Sequence, residues 1–180
     1  SSSQTIYIAT GDRDAWDNRS IGVLKSTNGG SSWNTTGIQF NLSDNEMVNR
    51  LLLDPNNNQT IIAATTNGVY KTTNGGSSWS TQLTPNSFID MEYKPGDFNT
   101  LYGSTTSGSI WVSSNGGSNW TETFSQGNRI ELAVTPANNA YVYALVANSS
   151  SGLYGVYRST NSGATFSQMV SGSAINLLGW

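Results

Sequence analysis

The stretch Ser26-Thr-Asn-Gly-Gly-Ser-Ser-Trp33 decides the fold, because variants of it recur at nearly even intervals along the chain. The later copies are Thr72-Thr-Asn-Gly-Gly-Ser-Ser-Trp79, Ser113-Ser-Asn-Gly-Gly-Ser-Asn-Trp120 and Ser159-Thr-Asn-Ser-Gly-Ala-Thr-Phe166. Their closing aromatic residues are 46, 41 and 46 positions apart. A period of that length is typical of a four-stranded β-propeller blade.

Short apolar runs lie at fixed places before each copy of the motif. The nearest candidate strands are 22–25, 68–71, 109–112 and 155–158, and an earlier set lies at 6–10, 61–65, 101–104 and 141–146. In three units a still earlier apolar run ends at the residue before a proline, at 48–54, 89–94 and 130–135. This pattern predicts strand A, a proline turn, strand B, a loop, strand C, the Asn-Gly turn and strand D.

The repeat therefore predicts an all-β protein, a β-propeller of four-stranded antiparallel blades, with about four blades in one domain over residues 1–180. The predicted blades are 47–84, 88–125 and 129–170, together with 5–37, to which 174–180 adds a strand. In this interpretation Ile175-Asn-Leu-Leu178 is a strand A that completes the first blade and closes a four-bladed ring. The favoured alternative is that the four blades are a fragment of a larger propeller.

The motif has a physical explanation at each position. The Asn-Gly step calls for positive φ, which asparagine tolerates and glycine accepts freely. The asparagine side chain can accept main-chain N–H groups, and the Ser or Thr two places earlier can add another bond. The closing aromatic ring can fill the wedge between neighbouring blades. A structural role is therefore expected for Asn28, Trp33, Asn74, Trp79, Asn115, Trp120, Asn161 and Phe166.

These residues resemble the Asp-box, or bacterial neuraminidase repeat, whose pattern is Ser-x-Asp-x-Gly-x-Thr-Trp. The family includes sialidases, xyloglucan-cleaving endoglucanases and sortilin-like receptors, all of which are β-propellers. The resemblance covers all four units, although asparagine stands where the family has aspartate. The stretch Ile6-Tyr-Ile-Ala-Thr-Gly-Asp12, followed by Ile21-Gly-Val-Leu-Lys-Ser-Thr-Asn-Gly-Gly30, is also similar to secreted surface proteins of gliding and polymer-degrading bacteria. The resemblance implies an extracellular or cell-surface protein.

Composition limits the function classes. The chain has 180 residues, of which 11% are charged, against about 25% in an average soluble domain. Its net charge is −3 and no basic stripe occurs, so nucleic-acid binding is not expected. No apolar run approaches the length of a membrane span, so membrane insertion is not expected either. The absence of His and Cys excludes a Ser-His-Asp triad and the commonest zinc sites.

Two loops between strands B and C are longer than the others, at 11–20 and 147–154. The first carries Asp12, Asp14 and Asp17, whose oxygens could bind Ca²⁺, the one cofactor candidate. Alternatively, one of these carboxylates could act as an acid or base while Trp16 stacks on a sugar ring. The simplest reading is a solvated loop whose acids pair with its arginines.

A second group of candidates follows from the repeat register. Arg50, Asp90 and Glu131 take the same position of successive A strands, five residues before each proline, and Asn176 takes it in the last. As neighbours around a central channel, they could form a glycosidase-type carboxylate site, with Asp12, Asp90 and Glu131 as catalytic candidates and Arg50 as a ligand contact. A charge-balanced, watered channel lining is the favoured interpretation.

The favoured function is a non-catalytic surface module that binds a glycan or an extracellular protein partner. The first alternative is part of a glycoside hydrolase whose site other blades complete, because xyloglucan-cleaving relatives divide their two catalytic aspartates between propeller domains. The arginines occupy different places in their repeats, so the arginine triad that the resemblance implies for a sialidase cannot be picked out. The third alternative is a structural spacer of an adhesin.

Overall fold

The computed structural model of the protein describes residues 4–13, 18–84 and 86–172. Within these ranges all regular structure is β, and no helix long and apolar enough to cross a membrane occurs in them. The strands are β1 (Ile6–Ala9), β2 (Val23–Ser26), β3 (Asn34–Thr35), β4 (Val48–Leu53), β5 (Ile61–Thr65), β6 (Gly68–Thr72), β7 (Ser80–Leu83), β8 (Phe88–Lys94), β9 (Asp97–Thr105), β10 (Ser109–Ser113), β11 (Thr121–Ser125), β12 (Ile130–Val134), β13 (Val142–Ala147), β14 (Leu153–Ser159) and β15 (Ser167–Ser171).

The strands form four antiparallel meanders, each hydrogen-bonded in chain order. Sheet 1 is β1-β2-β3, sheet 2 is β4-β5-β6-β7, sheet 3 is β8-β9-β10-β11 and sheet 4 is β12-β13-β14-β15. The all-β, propeller-type fold class predicted from the repeat is therefore confirmed. The strand predicted at 175–178, which would complete sheet 1, lies outside the described residues.

The chain divides into two compact units, Ser1–Asn86 and Ser87–Trp180. Sheets 1 and 2 belong to the first unit, and sheets 3 and 4 belong to the second.

The second unit has a core between its two sheets. Sheet 3 supplies Tyr102, Ile110 and Phe124, and these pack against alternate residues of sheet 4. Those residues are Ile130, Leu132, Val142, Ala144, Val146 and Tyr157. Full burial of an aliphatic side chain contributes about 1.5–3 kcal/mol to folding. Because the apolar residues alternate along each strand, they all lie on one face of the sheet, and that face turns inward.

The first unit has a smaller core of the same kind. Val23 begins β2 of sheet 1, Ile38 follows β3, Val48 and Ala63 come from sheet 2, and all four are buried. Trp79 packs against this cluster from the end of its motif. In the second unit Phe166, at the equivalent position, packs against Phe124 with ring centroids 5.5 Å apart. Both aromatic rings thus contact side chains of the preceding sheet, as wedges do.

The four motifs form nearly identical turns, which we call corners 1 to 4 (residues 26–33, 72–79, 113–120 and 159–166). In corner 2, Asn74 Oδ1 accepts a hydrogen bond from the Thr72 hydroxyl at 2.8 Å and from the Ser78 N–H at 3.0 Å. The Thr72 hydroxyl oxygen also accepts the Gly76 N–H at 3.1 Å. The other corners repeat this pattern through Ser26 and Asn28, Ser113 and Asn115, and Ser159 and Asn161.

The positive φ angles of the corners lie one and two residues after the asparagine, not on the asparagine as the sequence suggested. Corner 1 has φ of 70° at Gly29 and 91° at Gly30, and corner 4 has 56° at Ser162 and 81° at Gly163. The asparagine keeps ordinary backbone geometry because its role is carried by the side chain. The backbone favours glycine at the next two positions, and in corner 4 Ser162 takes the left-handed region at a conformational cost.

Glycine at the last of these positions is also required by packing in the second unit. A Cβ on Gly163 would lie 3.0 Å from both Tyr102 Cε1 and Val112 Cγ2, whereas a Cβ on Gly29 would meet no atom within 4 Å. Gly29→Ala should therefore lower the free energy of unfolding by about 1 kcal/mol through backbone strain alone. Gly163→Ala should lower it by about 2–4 kcal/mol, because strain and overpacking add.

Urea unfolding followed by tryptophan fluorescence measures both losses. Gly29→Asn is the control, since asparagine tolerates the left-handed region and should recover part of the loss. Equal losses for the two alanine variants would contradict the packing of corner 4 against sheet 3.

Candidate functional site

Each sheet has a corner end, where its motif lies, and an opposite end that we call the loop end. The loop ends carry the connections at 10–22, 66–67, 106–108 and 148–152. Binding and catalytic groups of rigid scaffolds concentrate on such connections. The second and third connections are short, tight hairpins. The first and the fourth therefore account for most of the variation in length among the four connections.

The loop at 10–22 is closed at its base by side chains and main chain. Asp12 N–H donates to the Asn18 carbonyl at 3.1 Å, and the Thr10 hydroxyl donates to the Gly22 carbonyl at 2.6 Å. The Thr10 and Ser20 hydroxyl oxygens are 2.9 Å apart. Asp12 is half-buried beside this closure. Asp12 is thus held at the base of the loop, with its main chain fixed.

Three loop candidates, Asp14, Trp16 and Asp17, lie outside the described residues. No group of three or more acidic side chains that could hold a metal ion occurs in the part of the chain that the structure describes. The Ca²⁺ site and the sugar-stacking role of Trp16 stay predictions.

The three A-strand candidates do occupy equivalent register positions in their own sheets. Arg50 pairs with Ala64, Asp90 with Ser104 and Glu131 with Leu145. Arg50 and Glu131 are half-buried, but Asp90 is buried, with 3% of its surface exposed. The expectation of a watered lining is therefore wrong for the environment of Asp90.

Asp90 ties the first strands of sheets 3 and 4 together. Its Oδ1 accepts the N–H of the next residue, Met91, at 2.9 Å, and its Oδ2 accepts the N–H of Leu132 at 2.9 Å. A β-bulge between Phe88 and Asp90 sets the position of this residue on its strand. Hydrogen bonds from N–H groups to a carboxylate are stronger than neutral ones. The geometry gives Asp90 a structural task, and a catalytic role for it stays a prediction.

Glu131 is bound by an arginine that lies just before its own strand. Arg129 Nη2 and Nε donate to the same oxygen, Glu131 Oε1, at 2.8 and 3.1 Å. The two side chains are 40% and 34% exposed, so the pair contributes about 1 kcal/mol or less to folding. Comparison of the repeats did not identify Arg129 as the partner of Glu131. Residues two apart on an extended chain lie on the same face, and this spacing could have indicated the pair.

An aromatic cluster lies at the loop end of sheet 4. Tyr154 is 40% exposed and its ring is parallel to that of Tyr157, with centroids 6.4 Å apart and planes 12° apart. The Tyr157 hydroxyl donates to Gln126 Oε1 at 3.1 Å. Burial, and then the neighbouring Tyr154, raise the pKa of the Tyr157 hydroxyl, so it stays a donor at neutral pH. Of this cluster the sequence marked only the unusual length of the 147–154 loop.

A polar cleft of about 270 Å³ opens at the corner end of the first unit. Lys25 Nζ donates to the Gly75 carbonyl at 2.9 Å and lies 5.4 Å from the centre of the Tyr7 ring. Tyr7 hydroxyl also donates to that carbonyl, at 3.1 Å. These contacts fasten corner 2 to sheet 1, so the lysine beside the cleft serves packing.

The chain is similar to glycan-cleaving propellers over part of its length. A xyloglucanase of Paenibacillus sp. is 32% identical over 68 residues, which are 35% of this chain and 7% of that enzyme. An ancestral GH74 enzyme of known structure is 27% identical with a TM-score of 0.68, covering 91% of this chain and 23% of that one. The GH74 enzyme of Niastella koreensis is 22% identical with a TM-score of 0.72, covering 94% and 28%.

The remaining comparisons concern the fold and do not indicate a function. No protein-family profile matches the chain. YCF48 bound to D1 peptide superposes with a TM-score of 0.62 at 15% identity, covering 98% of this chain and 58% of that one, and shows the fold alone. The chain has a β-propeller fold that is similar to part of the GH74 enzymes. It spans about a quarter of the length of the solved GH74 enzymes, at 23% and 28%.

Substitutions of Asp90 and Glu131 should lower the stability by different amounts. Asp90→Ala should lower the free energy of unfolding by about 2–4 kcal/mol, because the buried Leu132 N–H loses its acceptor. Glu131→Gln should lower it by less than about 1 kcal/mol, because it breaks a half-exposed pair. Chemical unfolding of the two variants measures this difference, and wild-type stability of Asp90→Ala would show that the tie between β8 and β12 is not formed.

Proposed function

We propose that the protein is an extracellular β-propeller module that binds a neutral plant-type polysaccharide, with xyloglucan as the first candidate, at the loop ends of its sheets. The observation that carries this proposal is the 32% identity over 68 residues to a xyloglucanase. The ancestral GH74 structure supports it, because 91% of this chain matches that enzyme at 27% identity. Since the chain covers only a small share of either enzyme, the proposal concerns binding.

The chemistry of the loop ends fits a neutral, hydroxyl-rich ligand. The chain has 21 Asn, 27 Ser and 20 Thr, and only 8 Lys and Arg against 11 Asp and Glu. Amides and hydroxyls exchange hydrogen bonds with sugar hydroxyls without the cost of desolvating a charge. The Arg129–Glu131 pair is internally balanced, which also suits an uncharged ligand.

We further assign the corners as amide versions of the Asp-box. The support is the bonding of the side chain, because each asparagine Oδ1 accepts the bonds that a carboxylate oxygen would accept at the same place. In corners 1, 2 and 4 the asparagine Nδ2 also donates to a hydroxyl, from Ser32, Ser78 or Thr165. In this assignment the corners hold the blades, and ligand contacts come from the loop ends.

Catalysis is a second candidate, which rests on Asp12. Its main chain is fixed by the bond to Asn18, and its side chain is half-buried at the base of the long loop of sheet 1. A carboxylate in such a place could serve as one of the two that glycoside hydrolysis requires. Glycoside hydrolysis requires two carboxylates, so this candidate needs a second one from another blade.

Affinity electrophoresis tests the binding proposal. The purified chain should migrate more slowly in a native gel that contains xyloglucan than in a gel without polymer, because bound chains are held by the matrix. Gels with xylan, hydroxyethyl cellulose and an anionic pectin serve as controls for specificity. Identical mobility in every gel would contradict the proposal and favour a spacer role.

Reducing-end release from xyloglucan separates binding from catalysis. Retardation without release supports a binding module. Release that disappears in Asp12→Asn but persists in Asp44→Asn would establish the catalytic candidate instead. Asp44 is a matched control because it is an exposed loop carboxylate that accepts the Asn41 N–H at 2.8 Å, outside the long loop.

A further inference from the structure

One exposed aromatic ring at the loop end of sheet 4 is held in a fixed orientation. Tyr154 has 40% of its surface exposed, while its neighbour Tyr157 has 4%. The two rings are within 12° of parallel, with their centroids 6.4 Å apart, so they lie side by side in offset planes. The Tyr154 ring is thus exposed to solvent in part and flanked by a buried ring.

The neighbour of this ring is anchored in the core of the second unit. Tyr157 meets Phe124 edge-on with centroids 4.8 Å apart, and Phe124 in turn meets Phe166 at 5.5 Å. Edge-on aromatic contacts are favourable beyond the area they bury, so they hold Tyr157 in place. An immobilised ring loses little conformational entropy when a ligand binds to it.

The two neighbouring loops are also fixed. Asn148 Oδ1 accepts the N–H groups of Ser150 and Gly152, both at 2.9 Å, which orders the loop that leads to Tyr154. At Gly127, a Cβ would lie 3.3 Å from Tyr154 Cγ and 2.5 Å from Val146 Cγ1, so only glycine lets the backbone lie against the ring. The ring therefore stands beside ordered main chain.

Polar groups with no net charge flank the ring. Gln126 is exposed, and its Oε1 is occupied by the Tyr157 hydroxyl at 3.1 Å, which turns the amide to a defined orientation. The segment that follows it is bonded to the end of β13, through Asn128 N–H to the Ala147 carbonyl at 2.8 Å and Ala147 N–H to the Arg129 carbonyl at 2.9 Å. Neutral amides beside a flat ring suit a polyol.

We propose that Tyr154 is the stacking platform for a pyranose ring of the polysaccharide and that Gln126 donates a hydrogen bond to a hydroxyl of the same sugar. The inference rests on the proposed function and names its binding site. One face of a pyranose presents C–H groups and its rim presents hydroxyls, so a tyrosine ring beside an amide matches both parts. A single exposed ring is much smaller than the about 800 Å² per partner of a standard protein interface.

Substitutions at Tyr154 test the platform. Tyr154→Ala and Tyr154→Leu should each weaken retention in xyloglucan gels about tenfold in apparent Kd, because both remove the flat face and leucine keeps the apolar bulk. Tyr154→Phe should bind within about twofold of wild type, because the ring remains. Gln126→Ala should give a smaller loss than Tyr154→Ala.

The matched control is Met169→Ala, which truncates a side chain of the same sheet that is 51% exposed. It should leave retention unchanged, and the urea midpoints of the Tyr154 and Met169 variants should stay close to the wild-type value because both side chains are exposed. Gln126→Ala should unfold at a lower urea concentration, because the buried Tyr157 hydroxyl loses its acceptor. Wild-type retention by Tyr154→Ala and Tyr154→Leu would overturn the platform and leave the proposed function standing. Absence of retention for the wild-type chain on every polysaccharide would overturn both.

Discussion

The hydrogen bonds around one asparagine oxygen in each corner are the constraint on which the rest of the structure depends. In all four corners Oδ1 accepts a hydroxyl from two residues before and a main-chain N–H from four residues after, at 2.8–3.0 Å. Each such bond contributes only about 1 kcal/mol, but together they fix the direction in which the last strand leaves the turn. The strand pairing of every sheet follows from that direction.

The corners contact the preceding sheet through main-chain groups that the turn holds in position. In the first unit, Gly75 presents its carbonyl to Tyr7 and Lys25 of sheet 1. In the second, Gly163 lies against Tyr102 of sheet 3 with no room for a side chain. The turn is therefore a joint between successive sheets within each unit. Placing rigid joints at the corner ends leaves the loop ends available for variation in length and chemistry.

Sequence reasoning reached the features that depend on local order. The period, the strand types and the wedge position of Trp79 follow from residues that are close together in the chain. The tie from Asp90 to Leu132 could not be predicted, because it depends on the register between strands some forty residues apart. The Tyr154 ring was missed for a similar reason, since it lies against Gly127 from the preceding loop and beside Tyr157, which Phe124 of the preceding sheet holds in place. The motif was also expected to have positive φ at Asn28. It does not reveal that the Asn28 side chain holds the turn by hydrogen bonds while Gly29 and Gly30 adopt the positive φ angles.

Amide hydrogen exchange of the N–H groups bound by the corner asparagines tests the central claim most directly. The N–H groups of Ser32, Ser78, Asn119 and Thr165 donate to the asparagine Oδ1 atoms at 2.9–3.0 Å. If these bonds hold the fold together, their exchange should be as slow as that of central strand amides such as those of β5 and β13. Exchange as fast as that of the exposed Leu42 amide would show that the corners open independently and would contradict the account.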